Sequence, residues 1–197
     1  MSKIRKTSDI SAEAHESDSA KDPGKSARQR IVEAAQVLLA SSPPQMIVNR
    51  DIAEAAGTRQ SLIYYYFTSQ EELFKEAMTQ LTDAYIEQRR RTVDRSEPFP
   101  KLPISDHELW WKAAANFSAD SGQSYTRLRW GYPVVNFELN EILCHHPELD
   151  PMEVKAHILK EICFNFGWVR YRDTVAVGLD IDADELRAIE NRLYDLD

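Results

Sequence analysis

Arg59 and Gln60 stand side by side in the stretch Asn49 to Phe67, NRDIAEAAGTRQSLIYYYF. They are the two side-chain types that read base pairs most directly. A guanidinium can donate two parallel hydrogen bonds to guanine and a carboxamide can pair with adenine, each worth about 1–3 kcal/mol of discrimination. Around them Asn49, Thr58, Ser61, Tyr64, Tyr65 and Thr68 offer amide, hydroxyl and phenol groups suited to phosphate oxygens or base edges. The chemistry implied is recognition of duplex DNA.

Such residues need a scaffold that holds them on one convex face. Ile52, Ala53 and Ala56 make the apolar stripe of a short helix that Asn49 is expected to cap. Gly57 follows, a residue that takes a positive φ without a Cβ clash. Thr58 is expected to cap a second helix, in which Leu62, Ile63 and Phe67 turn inward while Arg59, Gln60, Ser61, Tyr64 and Tyr65 turn outward. Tyr66 is expected to pack in the head. Helix, glycine turn, helix is the arrangement whose second helix enters the major groove.

This stretch and its flanks resemble the TetR family of bacterial one-component repressors. The family pattern runs roughly I-A-x-x-A-G-V-S-x-G-T-L-Y-x-Y-F-x-S-K-E-E-L. Here it reads Ile52-Ala53, then Ala56-Gly57-Thr58-Arg59-Gln60-Ser61-Leu62-Ile63-Tyr64-Tyr65-Tyr66-Phe67-Thr68-Ser69-Gln70-Glu71-Glu72-Leu73. The resemblance extends from about Ser26 to Met78. Three positions depart from it: Thr58-Arg59 replaces Val-Ser, Ser61 replaces glycine, and Gln70 replaces a phosphate-contacting lysine. Arg50 matches a family position that reaches DNA. The resemblance implies an all-α chain with a three-helix DNA-binding head, a long connector helix, and a helical C-terminal domain that dimerises and holds a small effector. The expected divisions are a disordered tail over 1–24, the helix-turn-helix domain over 25–75, and the effector and dimerisation domain over 76–197.

Charge bears on that expectation. The chain of 197 residues carries a formal net charge of −8. Within 25–75, however, Lys25, Arg28, Arg30, Arg50, Arg59 and Lys75 outnumber Glu33, Asp51, Glu54, Glu71 and Glu72 by one. Screening confines phosphate attraction to charge within about 10 Å at 0.1 M salt, so this local balance governs. In the tail, Lys3, Arg5 and Lys6 are offset by Asp9, Glu13, Glu16, Asp18 and Asp22. No apolar run approaches the roughly 20 residues needed to cross a bilayer. The N-terminus has no secretory h-region, and Cys144 and Cys163 make no disulfide framework. The expected setting is a reducing cytoplasm, with both thiols buried as small hydrophobes.

Helix signals continue through the chain. Ser26 with Gln29 and Ser69 with Glu72 read as capping boxes. The connector runs to about Arg91, with Arg89, Arg90 and Arg91 expected as a solvated basic turn. Ser105 and Glu108 are expected to open a helix, Tyr125 to Trp130 a short one, Asp150-Pro151 the longest downstream, and Asp182 with Glu185 a last one. In the two final helices Ile158, Ile162, Val169, Leu186, Ile189 and Leu193 are expected either to meet a second copy in a four-helix bundle or to serve as ordinary core.

Aromatic residues crowd this half, and Trp110, Trp111, Phe117, Trp130, Phe137, Phe164 and Trp168 are the candidate lining of a pocket for an apolar or aromatic effector. Adjacent Trp110 and Trp111 are expected not to share one core. His145 and His146 point about 100° apart on a helix, so a shared metal is disfavoured and neither metal nor cofactor is expected. No phosphate loop or nucleophile elbow supports an enzyme. The expected function is a ligand-responsive repressor that binds a pseudo-palindromic operator as a homodimer and leaves it on binding a small effector. The alternative is a helical interaction module that has lost sequence-specific DNA binding.

Overall fold

Ser26 starts the first helix by accepting the Gln29 N–H at 3.2 Å, which satisfies one of the donors that a helix leaves orphaned at its N-terminus. The computed structural model describes residues 25–119 and 133–193. The expected tail, the expected helix over Tyr125 to Trp130, and Trp130 itself lie outside the described residues. Within them the regular structure is helical: α1 (Ala27–Ser41), α2 (Asn49–Ala55), α3 (Gln60–Tyr66), α4 (Gln70–Thr92), α5 (Glu108–Ser118), α6 (Pro133–His145), α7 (Pro151–Gly178) and α8 (Ala183–Leu193).

The first three helices close on Ile31, Leu39, Ile52, Ile63 and Phe67, all buried. Two expected caps move by one residue. Val48, extended and without a side-chain cap bond, precedes α2, so Asn49 is its first residue. Arg59 holds the cap position of α3 in place of Thr58. The reason for the second shift lies in how α2 ends. Gly57 takes φ 62°, its N–H returns to the Glu54 carbonyl at 3.1 Å, and the Thr58 N–H returns to Ala53 at 2.9 Å. This pair of bonds is a Schellman closure. Thr58 is thereby spent on ending α2 and α3 begins one residue later.

α4 has 23 residues, and at 1.5 Å per residue it extends about 34 Å. Ser69 accepts the Glu72 N–H at 3.1 Å. The Glu72 carboxylate reaches back to Thr68, taking its hydroxyl at 2.6 Å and its N–H at 2.7 Å. One face of α4 buries Leu73, Phe74, Ala77, Met78, Leu81 and Tyr85. The expected solvated basic turn at its end is corrected at one residue. Arg89 is 3% exposed and forms a fork to Glu138 of α6 at 2.9 and 3.2 Å. Arg90 and Arg91 do face solvent, Arg91 pairing with Glu87 at 2.6 Å.

The proline-rich segment after α4 is fastened to α7. His157 Nε2 lies 3.0 Å from the Pro100 carbonyl, the Leu102 N–H donates to Glu161 at 3.3 Å, and Asn165 donates to the Leu102 carbonyl at 2.6 Å. A 3-10 turn over Ile104–Asp106 contains Ser105, so α5 opens after His107 instead. Asp150 caps α7 through the Met152 N–H at 3.0 Å. Asp182 and Glu185 form a reciprocal box at the start of α8, with bonds of 2.9 and 3.2 Å.

α5 lies among α1, α4 and α7, and this corrects the expectation for its tryptophans. Two side chains about 100° apart both meet protein when a helix is enclosed on several sides. Trp110 stacks on Tyr85 at 4.5 Å and donates to Thr82 at 3.0 Å. Trp111 meets Phe166 edge-on at 5.9 Å. Both belong to the single large core that joins head and body. The cysteines also differ from expectation: Cys144 and Cys163 are both exposed, Cys163 on the uncovered side of α7.

Candidate nucleic-acid interface

The buried side of α3 dictates what its other side offers. Ile63 and Phe67 are fixed in the core and Leu62 packs against it. On 3.6-residue geometry Gln60, Ser61, Tyr64 and Tyr65 must then point away, and all four are exposed, as are Arg59 and Thr68. Tyr64 and Tyr65 are 63% and 78% exposed, unusual values for large aromatic rings. Tyr66 instead packs against the core, its ring edge-on to Tyr65 at 5.0 Å. Gln60 Nε2 donates to Tyr64 Oη at 3.4 Å, one turn along. Arg59 forms no ion pair among the described residues, and Arg50, at the start of α2, extends into solvent beside Asp51 at 3.6 Å.

Asn49 and Thr58 are placed differently. Asn49 Oδ1 and Thr58 Oγ1 are enclosed and have no hydrogen-bond partner among the described residues. Those two atoms are absent from the exposed face. The exposed set is Arg50, Arg59, Gln60, Ser61, Tyr64, Tyr65 and Thr68.

The basic residues of the head divide into two kinds, a distinction invisible in a charge count. Arg30 is buried and donates to the Ala56 carbonyl at 3.3 Å and to Lys25 at 3.1 Å, tying α1 to the end of α2. Arg28 pairs with Glu76 and lies over the Phe67 ring at 5.1 Å. Lys25 pairs with Glu33 at 2.9 Å. Gln70 donates to the Ile47 carbonyl at 2.9 Å, so it fastens the segment before α2 onto α4. Glu72 carries a carboxyl held below the ordinary glutamate range, first by the Thr68 hydroxyl and then by the Thr68 N–H. Sequence reasoning missed the structural roles of Arg28, Arg30 and Gln70, because their partners are 48, 26 and 23 positions away.

Of the expected effector residues, Trp130 lies outside the described residues, and the others stand as follows. Trp110, Trp111 and Phe117 are buried in the core. Phe137 lies under Arg90 on α6. Phe164 and Trp168 stack at 6.0 Å, and Trp168 donates to Glu190 at 3.2 Å. A cleft of about 380 Å³ opens elsewhere, between α1, α5 and α7, lined by Val37, Ala40, Ser41, Leu109, Lys112, Ala115, Asn116, Val169 and Arg170. His145 lies 2.9 Å from the Glu141 carbonyl and His146 lies 3.1 Å from that of Arg95. Among the described residues no helix is long and apolar enough to cross a membrane.

Comparison with known proteins agrees with this geometry. Residues 31–77 match the family described as bacterial regulatory proteins, tetR family. No curated protein sequence matches. A tetR-family transcriptional regulator from Streptomyces coelicolor superposes with a TM-score of 0.56 at 18% identity, over 84% of this chain and 87% of that one. A proposed transcriptional regulator from the same organism, SCO4942, gives 0.59 at 20% identity, over 86% of this chain and 97% of that one. The two likenesses show a shared fold.

Proposed function

We propose, on the premise that residues 31–77 match the tetR family of bacterial regulatory proteins, that this chain is a TetR-family transcriptional regulator acting as a homodimeric, effector-responsive repressor. The observation that carries the reading is the outward face of α3, where polar and aromatic side chains stand exposed above a core that leaves them no other place. Two such helices would enter successive major grooves 34–36 Å apart on a pseudo-palindromic site, a spacing of one DNA turn. Arg59 and Gln60 read bases, and Arg50, Ser61, Tyr64, Tyr65 and Thr68 hold the phosphates or flank the bases.

Pairing through α7 and α8 is supported by an uncovered apolar strip. Ile158 is buried, and Ile162 and Val169 pack against the core, so these three serve the chain's own interior. Another side of α7 leaves Phe164, Tyr171 and Val175, which cluster at 3.6-residue spacing, between 41% and 61% exposed. A strip of that kind is what a second copy would cover. The domain division at about residue 75 and the effector-holding role of the second half belong to the same proposal. An effector acts by binding more tightly to a state in which the two heads are wrongly spaced.

Fluorescence anisotropy with duplexes from the protein's own upstream intergenic DNA tests the reading. Submicromolar, salt-sensitive and sequence-selective binding is expected. Binding that ignores sequence would instead indicate an interaction module.

A further inference from the structure

We infer that the cleft between α1, α5 and α7 is a binding site for a small apolar monocarboxylate. Its walls and its charge argue for that class together. Val37, Ala40, Leu109 and Val169 supply apolar surface from three helices, while Lys112 and Arg170 supply cations at the same opening. Arg170 forms no ion pair among the described residues. Lys112 pairs with Glu108 at 2.9 Å, and Glu108 also takes Arg172 at 2.7 Å, so Glu108 keeps a partner when Lys112 turns toward a ligand. A volume of about 380 Å³ is within the range of small-molecule sites, about 300–1,000 Å³. A multiply charged anion would leave the apolar walls unused, and a neutral hydrocarbon would leave the Arg170 guanidinium without a counter-charge beside it.

The floor of the cleft connects to the head. Arg170 donates to Asn116 Oδ1 at 3.3 Å, and the buried Asn116 donates through Nδ2 to the Leu39 carbonyl at 2.9 Å. Leu39 lies in the last full turn of α1. A carboxylate on Arg170 is thus two hydrogen bonds from the DNA-binding head, and its apolar body touches α1 directly at Val37 and Ala40. A ligand that contacts both halves binds best in one relative placement of them, which is the requirement for coupling. Use of this site by an effector rests on the regulator reading above, whereas the existence of the site does not.

Isothermal titration of the full-length, DNA-free protein with 4-phenylbutyrate and its neutral twin 4-phenyl-1-butanol tests the site. The acid is expected to bind once per chain and at least about 10-fold more tightly than the alcohol, the scale of a hydrogen bond to a charged group. Arg170→Gln should weaken the acid about 10-fold and leave the alcohol unchanged, by the same scale. Val37→Trp, at a position 54% exposed on α1, should fill the cleft and abolish both, with an unchanged thermal melt. The site is refuted by absence of binding at millimolar ligand, by equal affinity for acid and alcohol, or by acid binding that survives Val37→Trp. No DNA is present, so failure of the operator experiment leaves this result intact.

Discussion

Arg59 and Gln60 owe their availability to the backbone next to them. Gly57 at φ 62° closes α2 and consumes the Thr58 N–H, which starts α3 with Arg59 at its outer end. Gly57→Ala should therefore cost about 1–2 kcal/mol in a urea melt, the penalty for a Cβ in the left-handed region. Arg59→Ala should relax base preference at one operator position and weaken the cognate site by about 1–3 kcal/mol. Unchanged preference across a panel of single-base variants would remove Arg59 from the reading set. Glu72 makes a pH prediction. Its folded value is depressed, so its contribution to stability is complete above the ordinary glutamate range and is lost as pH falls through the lowered value. Thr68→Val removes the largest cause of that depression, and an NMR titration should show the Glu72 carboxyl moving back up.

At the scale of elements, the head is joined to the body by polar contacts set into an apolar seam. Gln36 reaches the Ala77 carbonyl at 3.3 Å, and Asn116 reaches the end of α1. Trp110 bonds Thr82 within the core. The buried fork between Arg89 and Glu138 fixes α6 on the connector. Taking both charges out of water is costly, and removing Glu138 takes from the buried Arg89 the carboxylate that its guanidinium reaches at 2.9 and 3.2 Å. Glu138→Leu should lower unfolding free energy by about 3–5 kcal/mol in chemical denaturation. A loss under 1 kcal/mol would mean that water reaches the guanidinium.

For the whole molecule the question is the second copy. A Cβ built on Gly167 of α7 meets nothing within 4 Å in the single chain. Gly167→Leu should thus preserve the helical circular dichroism of the chain, and it should shift sedimentation from dimer to monomer if this face is the two-fold contact. DNA binding bears on charge at the same scale. Of the six cations counted in the head, Lys25, Arg28 and Arg30 are engaged within the protein. Arg50, Arg59 and Lys75 remain for phosphates, so affinity should fall with salt at a slope set by those few contacts, about 0.9 per phosphate neutralised.

What the sequence determined by itself was local. A stripe at 3.6-residue spacing, a glycine between two stripes, and a serine or aspartate ahead of a helix each act within a few residues. The helices, Gly57 in its turn, the inward Ile63 and Phe67, the outward Arg59 and Gln60, and the reciprocal cap of Asp182 and Glu185 were therefore legible. Tertiary structure decided whatever depends on distant partners. It buried Arg89 against Glu138, enclosed both Trp110 and Trp111 by surrounding α5, and turned Arg30 and Gln70 into braces for backbone carbonyls. It also opened a cleft lined by residues outside the aromatic set. A side chain's type states what it can bond, but burial and the groups brought opposite it by folding decide which bond it makes.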